Sequence, residues 1–532
     1  MIAVARLNPL ARVLAIAVAA ALLMLGLSGC VALRADMSPT PSFSIDEPGL
    51  TTLGRGFSQA ALRHPDQSGF RVLASGHEAL VARGALAELA ERSLDLQYYS
   101  VGDDPSSHLL LQRLLAAAER GVRVRVLLDD ISPTARDFAA RAVTAHQGIE
   151  VRLFNPFRSI STARLIRLGE FALDGPRLNR RMHNKAWIAD NATAVFGSRN
   201  IGDEYFDLNE LESFSDLDLL VAGPAVRQMS LAFDAYWNDA SAVPIEVFVG
   251  APVATERDAV RRAIHARADD CHESKPCQWL AETELREQLR GGHVPLIWAS
   301  TRYFADAPNA QKVAVGSGIE HGYAGDDPAG ARSKAELLIV SPYFVPDAHG
   351  VLHLAQMSAR GVRVAVLTNS LASTDSVAAH SGYQRRRDEL VRGGVELYEL
   401  RPLPGTKHRI RPRWGHASPT SLHAKLVVQD RERVVVGSLN QDPRSRLHNT
   451  ESWMVIESVE LASELATYFD ARTEPDYVFR LDMQTTPSGP DVLVWHSAEQ
   501  GEPVRHDTEP MAGVWLRLWR SVLGLLIPEH ML

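Results

Sequence analysis

Two stretches of this chain carry the same six residues at the same spacing. Residues 181–200, RMHNKAWIADNATAVFGSRN, hold His183, Lys185 and Asp190 as H-x-K-x4-D, followed by Gly197, Ser198 and Asn200 as G-S-x-N. Residues 421–440, SLHAKLVVQDRERVVVGSLN, repeat the pattern with His423, Lys425, Asp430, Gly437, Ser438 and Asn440. Every position of the second copy lies 240 residues after its counterpart, without a gap. A lone H-x-K says little, because a His and a Lys two apart on a strand merely share a face. Six positions repeated in register are hard to produce by chance.

Residues 182–188 and 422–428 read as strands, so His and Lys of each copy project to the same side. The two lysines and the amides of Asn200 and Asn440, with Ser198 and Ser438 beside them, can surround the nonbridging oxygens of a phosphoryl group. Such charge-assisted bonds stabilise a pentacoordinate phosphorus without a metal, so neither metal nor other cofactor is expected. One imidazole can attack phosphorus while the other moves protons at the leaving and incoming oxygens. A carboxylate on the far imidazole nitrogen would fix its tautomer. Asp216 (FSDLDLLV) and Glu451 (HNTESWMV), each on the strand after its motif, are the candidates. Asp190 and Asp430 complete the catalytic set. Their other reading is structural, as pins where strand meets loop.

The elements that must position these groups also repeat. Residues 94–99 (LDLQYY), 122–128 (VRVRVLL) and 148–154 (GIEVRLF) read as strands, and 109–120 as a helix. Residues 337–344, 351–360, 362–367 and 394–400 give the same order again. The phrase Arg120-Gly121-Val122-Arg123-Val124 returns as Arg360-Gly361-Val362-Arg363-Val364. Alternating strands and helices imply an α/β fold. Two such units, related by an internal pseudo-twofold, would bring the two motifs face to face.

Length and ends set the remaining bounds. The 532 residues suggest two domains, and the composition is that of a globular protein. The formal charge is −8, or −10 once Arg6 and Arg12 leave with a leader, which argues against bulk nucleic-acid binding. An apolar run of 15 residues at 13–27 is shorter than the roughly 20 needed to span a bilayer, and fits a secretory leader. Leu27-Ser28-Gly29-Cys30 resembles a bacterial lipobox that would make Cys30 the acylated first residue, without a retention Asp after it. The organisation expected is therefore a leader at 1–29, a tether at 30–49, one α/β domain at 50–250, a connector at 251–292, a second domain at 293–484, and a tail at 485–532. Residues 514–527, with two Trp and two Arg among aliphatics, suit an interfacial helix or one packed on the body. Cys271 and Cys277 suit a local disulfide in an exported compartment; a metal reading with His272 lacks a fourth ligand.

The double H-x-K-x4-D resembles the phospholipase D superfamily, and the second copy extends the likeness as G-S-x-N-x-D-x-R-S through Asp442, Arg444 and Ser445. RLNRRMHNK (177–185), GSRNIGDEYF (197–206), LTNSLASTDSVAAHSGYQRRRDEL (367–390) and GVELYEL (394–400) are similar to bacterial cardiolipin synthases, particularly their C-type branch. That resemblance implies two phospholipase D-like α/β sandwich domains with mixed sheets flanked by helices. It implies transfer of a phosphatidyl group to a hydroxyl of phosphatidylglycerol, and His183 as nucleophile. The partners implied are phosphatidylglycerol, a second phospholipid and the membrane, with no nucleic acid; the sequence names no accessory protein. The leader departs from the family, whose members often carry transmembrane helices instead. It points to a lipoprotein facing the periplasm of a Gram-negative-type envelope. Arg158, Arg164, Arg167, Arg177, Arg180 and Arg181 before the first motif, and Lys407, Arg409, Arg411 and Arg413 beside Trp414 before the second, would meet anionic headgroups. Two other readings stand beside transfer: a hydrolase on the same fold, acting on phospholipid or nucleic acid, and a catalytically silent lipid-binding lipoprotein. Intact His and Lys in both motifs weigh against the last.

Overall fold

The computed structural model describes residues 40–209, 213–269, 274–309, 332–402, 420–485, 489–499 and 501–527. The leader, Cys30, Cys271 and the basic stretch at 407–414 lie outside them. Cys277 is disulfide-bonded.

The first half contributes β1 (Ser68–Leu73), β2 (Ser93–Tyr98), β3 (Arg123–Asp129), β4 (Ile149–Phe154), β5 (Ala186–Ala189), β6 (Thr193–Gly197), β7 (Ser213–Ser215), β8 (Asp218–Ala222) and β9 (Ala242–Pro244). Apart from β7 they form one mixed sheet in the order β9-β4-β3-β2-β5-β6-β8-β1, with β2, β3 and β4 parallel. The second half adds β10 (Ile297–Ala305), β11 (Glu336–Val340), β12 (Arg363–Asn369), β13 (Glu396–Leu400), β14 (Thr420–Leu422), β15 (Leu426–Gln429), β16 (Arg433–Gly437), β17 (Ser452–Glu457) and β18 (Val478–Gln484). Its sheet runs β18-β13-β12-β11-β15-β16-β17-β10, the same order strand for strand. The two sheets join through β10, whose first residues pair with β1 and whose remainder pairs with β17.

The repeated Arg-Gly-Val-Arg-Val marks the turn from helix Pro105–Glu119 into β3 and from helix Ala348–Ala359 into β12. Gly121 and Gly361 sit there at φ +93° and +89°, where a side chain is disfavoured. Helices Gly76–Leu89, Pro105–Glu119 and Pro133–Ala145 cover the outer face of the first sheet. Helices Pro224–Trp237 and Val459–Arg472 lie between the sheets. There Phe233, Trp237, Leu465 and Phe469 merge with Ile188, Val221, Val428 and Ile456 into one core shared by both halves.

Three expectations change. The tether is tied down over its second half: Arg125 donates to Ser42 O (2.7 Å), Ser44 N to Asp234 (2.8 Å) and Asn191 to Ile45 O (2.9 Å). Within the expected connector, helices Ala254–Asp269, Lys275–Leu280 and Glu284–Gly291 bury Ile264, Leu280 and Leu289 in the first half's outer core. The tail supplies β19 (Val492–Glu499) and β20 (Glu502–His506), which extend the second sheet beyond β18. Its last helix, Val514–Leu526, packs Leu516 and Leu523 near Leu371 and Val377 and leaves Trp515, Leu518 and Trp519 exposed on its other side.

Asp190 and Asp430, carried as catalytic, are placed away from the motif histidines. Each sits in the left-handed region (φ 54° and 52°) at the hairpin turn after β5 or β15, about 16 Å along the chain from its motif lysine. The Asp190 carboxylate accepts from the backbone N–H groups of Glu91 (2.9 Å), Arg92 (2.8 Å) and Ser93 (2.9 Å), tying the hairpin to the start of β2. Asp430 does the same for Lys334 (2.9 Å), Ala335 (2.7 Å) and Glu336 (2.9 Å) before β11. Both are pins. Asp190→Ala is expected to cost about 1–3 kcal/mol of stability by orphaning those amides, while turnover per folded molecule holds. Denaturation and kcat measured together would return Asp190 to the chemistry if stability held and turnover fell.

Candidate active site

Regular pairing begins only at Ala186 and Leu426, because the residues before them hydrogen-bond to the opposite half. His183 N donates to Thr450 O (2.9 Å) and Thr450 N to Arg181 O (2.8 Å). In the symmetry-related place, β14 pairs in parallel with β7, and His423 N and Ala424 N donate to Ser215 O (2.8 and 3.0 Å). Asp129, at the end of β3, accepts from Met182 N (2.8 Å), and Asn369, at the end of β12, accepts from Leu422 N (2.8 Å). The continuous strands expected at 182–188 and 422–428 are thus broken by the crossing.

That crossing decides which carboxylate meets which histidine. His183 Nδ1 lies 2.8 Å from Glu451 Oε2, and His423 Nδ1 lies 2.7 Å from Asp216 Oδ2. Each half supplies the carboxylate for the other half's imidazole. An Nδ1 facing a carboxylate carries the hydrogen, which leaves Nε2 as an unprotonated lone pair. Ser198 and Ser438, expected to bind substrate, instead donate their hydroxyls to the same carboxylates, Ser198 to Asp216 and Ser438 to Glu451 (2.5 Å). Gly197 and Gly437 permit this approach. A Cβ there would stand 2.5 Å from Leu217 O or 2.2 Å from Ser452 O.

Lys185 and Lys425 are buried, and each ammonium donates to the carbonyl of its own motif histidine. Burial, then the charge of Lys425, lowers Lys185 to about 7. Burial lowers Lys425 to about 8, against the pull of Asp216 and Glu451. Burial likewise lowers His183 to about 4 and His423 to about 3; the lysines add to this and the paired carboxylates oppose it. Asp216 would be raised by burial, but His423 and Lys425 hold it below the usual carboxylate range. Asn200 donates to Tyr205 Oη (3.0 Å) and accepts from Ser100 N (3.3 Å). Asn440 Oδ1 has no hydrogen-bond partner among the described residues.

Several neighbours carried no sequence signal. Tyr99 meets the His183 ring edge-on, with centroids 5.0 Å apart, while Tyr205 and Phe214 flank His423 at 5.3 and 5.2 Å. Asp306, at the end of β10, accepts from Glu451 N (2.8 Å) and donates its own N–H to Glu451 O (2.9 Å), fixing the backbone that carries that carboxylate. The first basic cluster is largely structural. Arg167 is bound to Asp130, Arg181 to Asp129, and Arg177 to Asp174; Arg158, Arg164 and Arg180 remain exposed.

The depressed imidazoles predict how stability varies with pH. Unfolded histidines bind protons near 6.5, whereas His183 resists to about 4 and His423 to about 3. Their contribution is present above 6.5 and lost as pH falls toward 4, by about 1.4 kcal/mol per pH unit for each proton taken up only on unfolding. Calorimetric Tm between pH 7 and 4.5 should therefore fall more steeply in the native chain than in His183→Gln/His423→Gln. Equal slopes would mean that these imidazoles are not held neutral.

The family model "Cardiolipin synthase, PLD-like domain" matches residues 85–237 and again 331–473, one match around each motif. Over 476 residues the chain is 38% identical to cardiolipin synthase C of Escherichia coli (strain K12), spanning 88% of this chain and 97% of that one. Cardiolipin synthase of Geobacillus kaustophilus (strain HTA426) is 26% identical over 379 residues, 70% of this chain and 60% of the relative. Among solved structures, phosphatidylserine synthase of Haemophilus influenzae Rd KW20 superposes with a TM-score of 0.53 at 13% identity, covering 89% of this chain and 99% of that one, a likeness of fold. With the domain matched twice in one chain, and a relative 38% identical along nearly its whole length, the chain belongs to the phospholipase D-like cardiolipin synthase family of enzymes.

Proposed function

We propose that this enzyme makes cardiolipin by transferring a phosphatidyl group, through a phosphohistidine, to a hydroxyl of phosphatidylglycerol. The observation that carries the reading is the pair of carboxylate-backed imidazoles beside two buried lysines. His183 Nε2 attacks the phosphorus of a phospholipid, and the headgroup oxygen leaves with a proton from His423. The phosphatidylglycerol hydroxyl then returns a proton to His423 as its oxygen attacks the phosphohistidine, which frees His183. Lys185, Lys425, Asn200 and Asn440 hold the nonbridging oxygens throughout. An anionic phosphodiester placed among these basic groups raises their proton affinity, so on its binding the lysines and His423 take up protons from solvent, and His423 holds the one it passes to the leaving oxygen.

Expression in a cardiolipin-free host, followed by lipid analysis, is the direct test. Cardiolipin should appear, and phosphatidic acid alone would mean that water resolves the intermediate. His183→Ala and His423→Ala should each lose at least the 10²–10⁴-fold typical of one acid–base group, and activity should survive a chelator. Radiolabelled phosphatidyl trapped on His183→Ala would exchange the two histidines' roles.

Delivery to the bilayer is a separate part of the proposal. Cys30, acylated at the end of a lipoprotein leader, holds the enzyme on the periplasmic face of a membrane; stable anchoring takes two or more chains, which lipoprotein processing supplies. From Thr40, the first of the described residues, whose carbonyl accepts from Arg152, ten residues reach at most about 35 Å. Cys30→Ala behind an efficiently cleaved non-lipobox leader should yield soluble periplasmic protein and much less product. Undiminished product from that soluble form would remove the anchor from the account.

A further inference from the structure

One helical segment of the first half exposes an apolar face beside the site. Segment Arg164–Leu178, kinked at Asp174 ahead of Pro176, follows β4 and leads into the first motif. Leu165 is 82% exposed, Leu168 63% and Leu173 79%, and Ile160 stands in the preceding loop at 52%. The acidic side chains of the segment are taken up by the protein itself. Glu170 accepts from the backbone of Arg158 and Ser159, and Asp174 is bound to Arg177. Arg164 and Arg180 remain exposed, one at each end. An apolar stripe with its carboxylates neutralised and free cations at its ends matches an anionic lipid surface in both polarity and charge.

Its place in the fold adds a second argument. Arg167 fastens the segment to Asp130, just past the end of β3, the strand whose last residue, Asp129, holds Met182. On the other half, helix Val514–Leu526 packs on helix Val377–Gln384, which follows β12, the strand whose last residue, Asn369, holds Leu422. Both therefore lie over corresponding strand ends, the edge at which the two histidines meet. The second helix presents Trp515 (82% exposed), Leu518, Trp519 and Leu525, aromatic and aliphatic groups suited to the boundary between headgroups and acyl chains.

We propose that segment Arg164–Leu178 and helix Val514–Leu526 form one bilayer-contact rim around the mouth of the site. Their apolar side chains enter the headgroup boundary, and Arg164 and Arg180 meet anionic phosphates. The inference takes its lipid substrate from the function proposed above.

The test uses the full chain in vesicles of phosphatidylglycerol and phosphatidylethanolamine, with a nitroxide on Leu168→Cys, Leu173→Cys or Trp519→Cys. Leu62→Cys is the control, an exposed leucine on helix Thr52–Arg63, whose first residue bonds Glu91 at the opposite strand edge. Oxygen should reach the three rim labels better than a water-soluble nickel chelate does, with the reverse at position 62. Rim labels that collide with nickel as freely as position 62 overturn the proposal. In a second arm, L165E/L168E/L173E should turn over vesicle substrate at least tenfold more slowly and monomeric short-chain phosphatidylglycerol at the native rate. Equal loss on both substrate forms would mean that the segment serves the site itself, and also overturns the proposal. A native chain inactive on either form would defeat the functional reading, while the nitroxide result would still decide the rim.

Discussion

Neither half of this protein contains a complete histidine site. The imidazole of one half takes its carboxylate from the other, and the backbone bonds between Arg181–His183 and Thr450, and between His423 and Ser215, fix that exchange. Glu451 and Asp216 are buried, and a buried carboxylate without a partner is expensive. Separating the halves would therefore take the imidazole from both carboxylates at once, leaving Asp216 and Glu451 only the hydrogen bonds of their own half, such as those from Ser198 and Ser438. The shared core around helices Pro224–Trp237 and Val459–Arg472, and the strand β10 common to both sheets, keep the halves in the one register that avoids this. Folding of the halves against each other and assembly of the site are one event.

The same enclosure concentrates positive charge. Elsewhere in the interior, buried arginines are matched to carboxylates in close pairs: Arg83 with Asp218 (2.9 Å), Arg125 with Asp95 (2.6 Å) and Asp234 (2.8 Å), Arg387 with Glu399 (2.9 Å) and Glu509 (2.9 Å). Those ions are satisfied by the protein and hold it together. Lys185 and Lys425 are treated differently, since each ammonium meets a backbone carbonyl, burial lowers both, and the charge of Lys425 lowers Lys185 further. Their lowered proton affinity records an electrostatic imbalance that an anion would correct. A phosphodiester has the right sign of charge, and its nonbridging oxygens suit the amide donors of Asn200 and Asn440. On the proposed mechanism the cost of burying two lysines becomes selectivity for an anionic centre.

Much of this was legible from local pattern. Alternation in LDLQYY and VRVRVLL, and the recurrence of Arg-Gly-Val-Arg-Val, gave the parallel strands and their duplication, because strand period and glycine turns are written in neighbouring residues. The motif residues His183, Lys185, His423 and Lys425 were legible for the same reason. Asp216 and Glu451 were found as carboxylates, but their exchange between halves was not, since pairing across 207 and 268 residues leaves no mark in spacing. Ser198 and Ser438 sit beside the motif asparagines in sequence, yet their hydroxyls turn to the carboxylates. Asp190 and Asp430 each gather three backbone amides at the start of a strand, a demand of the fold that the pattern alone does not separate from chemistry. The strands β19 and β20 were missed because VLVWHSAE and EPVRH follow a region read as tail, and edge pairing to β18 gives them their structure.

On the proposed mechanism a twofold scaffold must run a reaction with two unlike histidines. Each has a carboxylate and a motif lysine beside it, Glu451 and Lys185 for His183, Asp216 and Lys425 for His423, but the rings around them differ. His183 meets Tyr99, over whose ring the Lys185 ammonium also lies (5.5 Å from the centroid). His423 is packed by Tyr205 and Phe214, which stack on each other at 4.8 Å. Burial lowers both imidazoles, and the next largest influence differs: the charge of Lys425 lowers His423 further, whereas Glu451 raises His183. Of two imidazolium ions formed beside the same phosphorus, the one with the lower pKa is the stronger acid, and a leaving alkoxide needs a strong acid. The more basic imidazole is the better nucleophile. On the proposed mechanism any division of labour between the two histidines has to rest on these unlike surroundings, because the motif is the same in both halves.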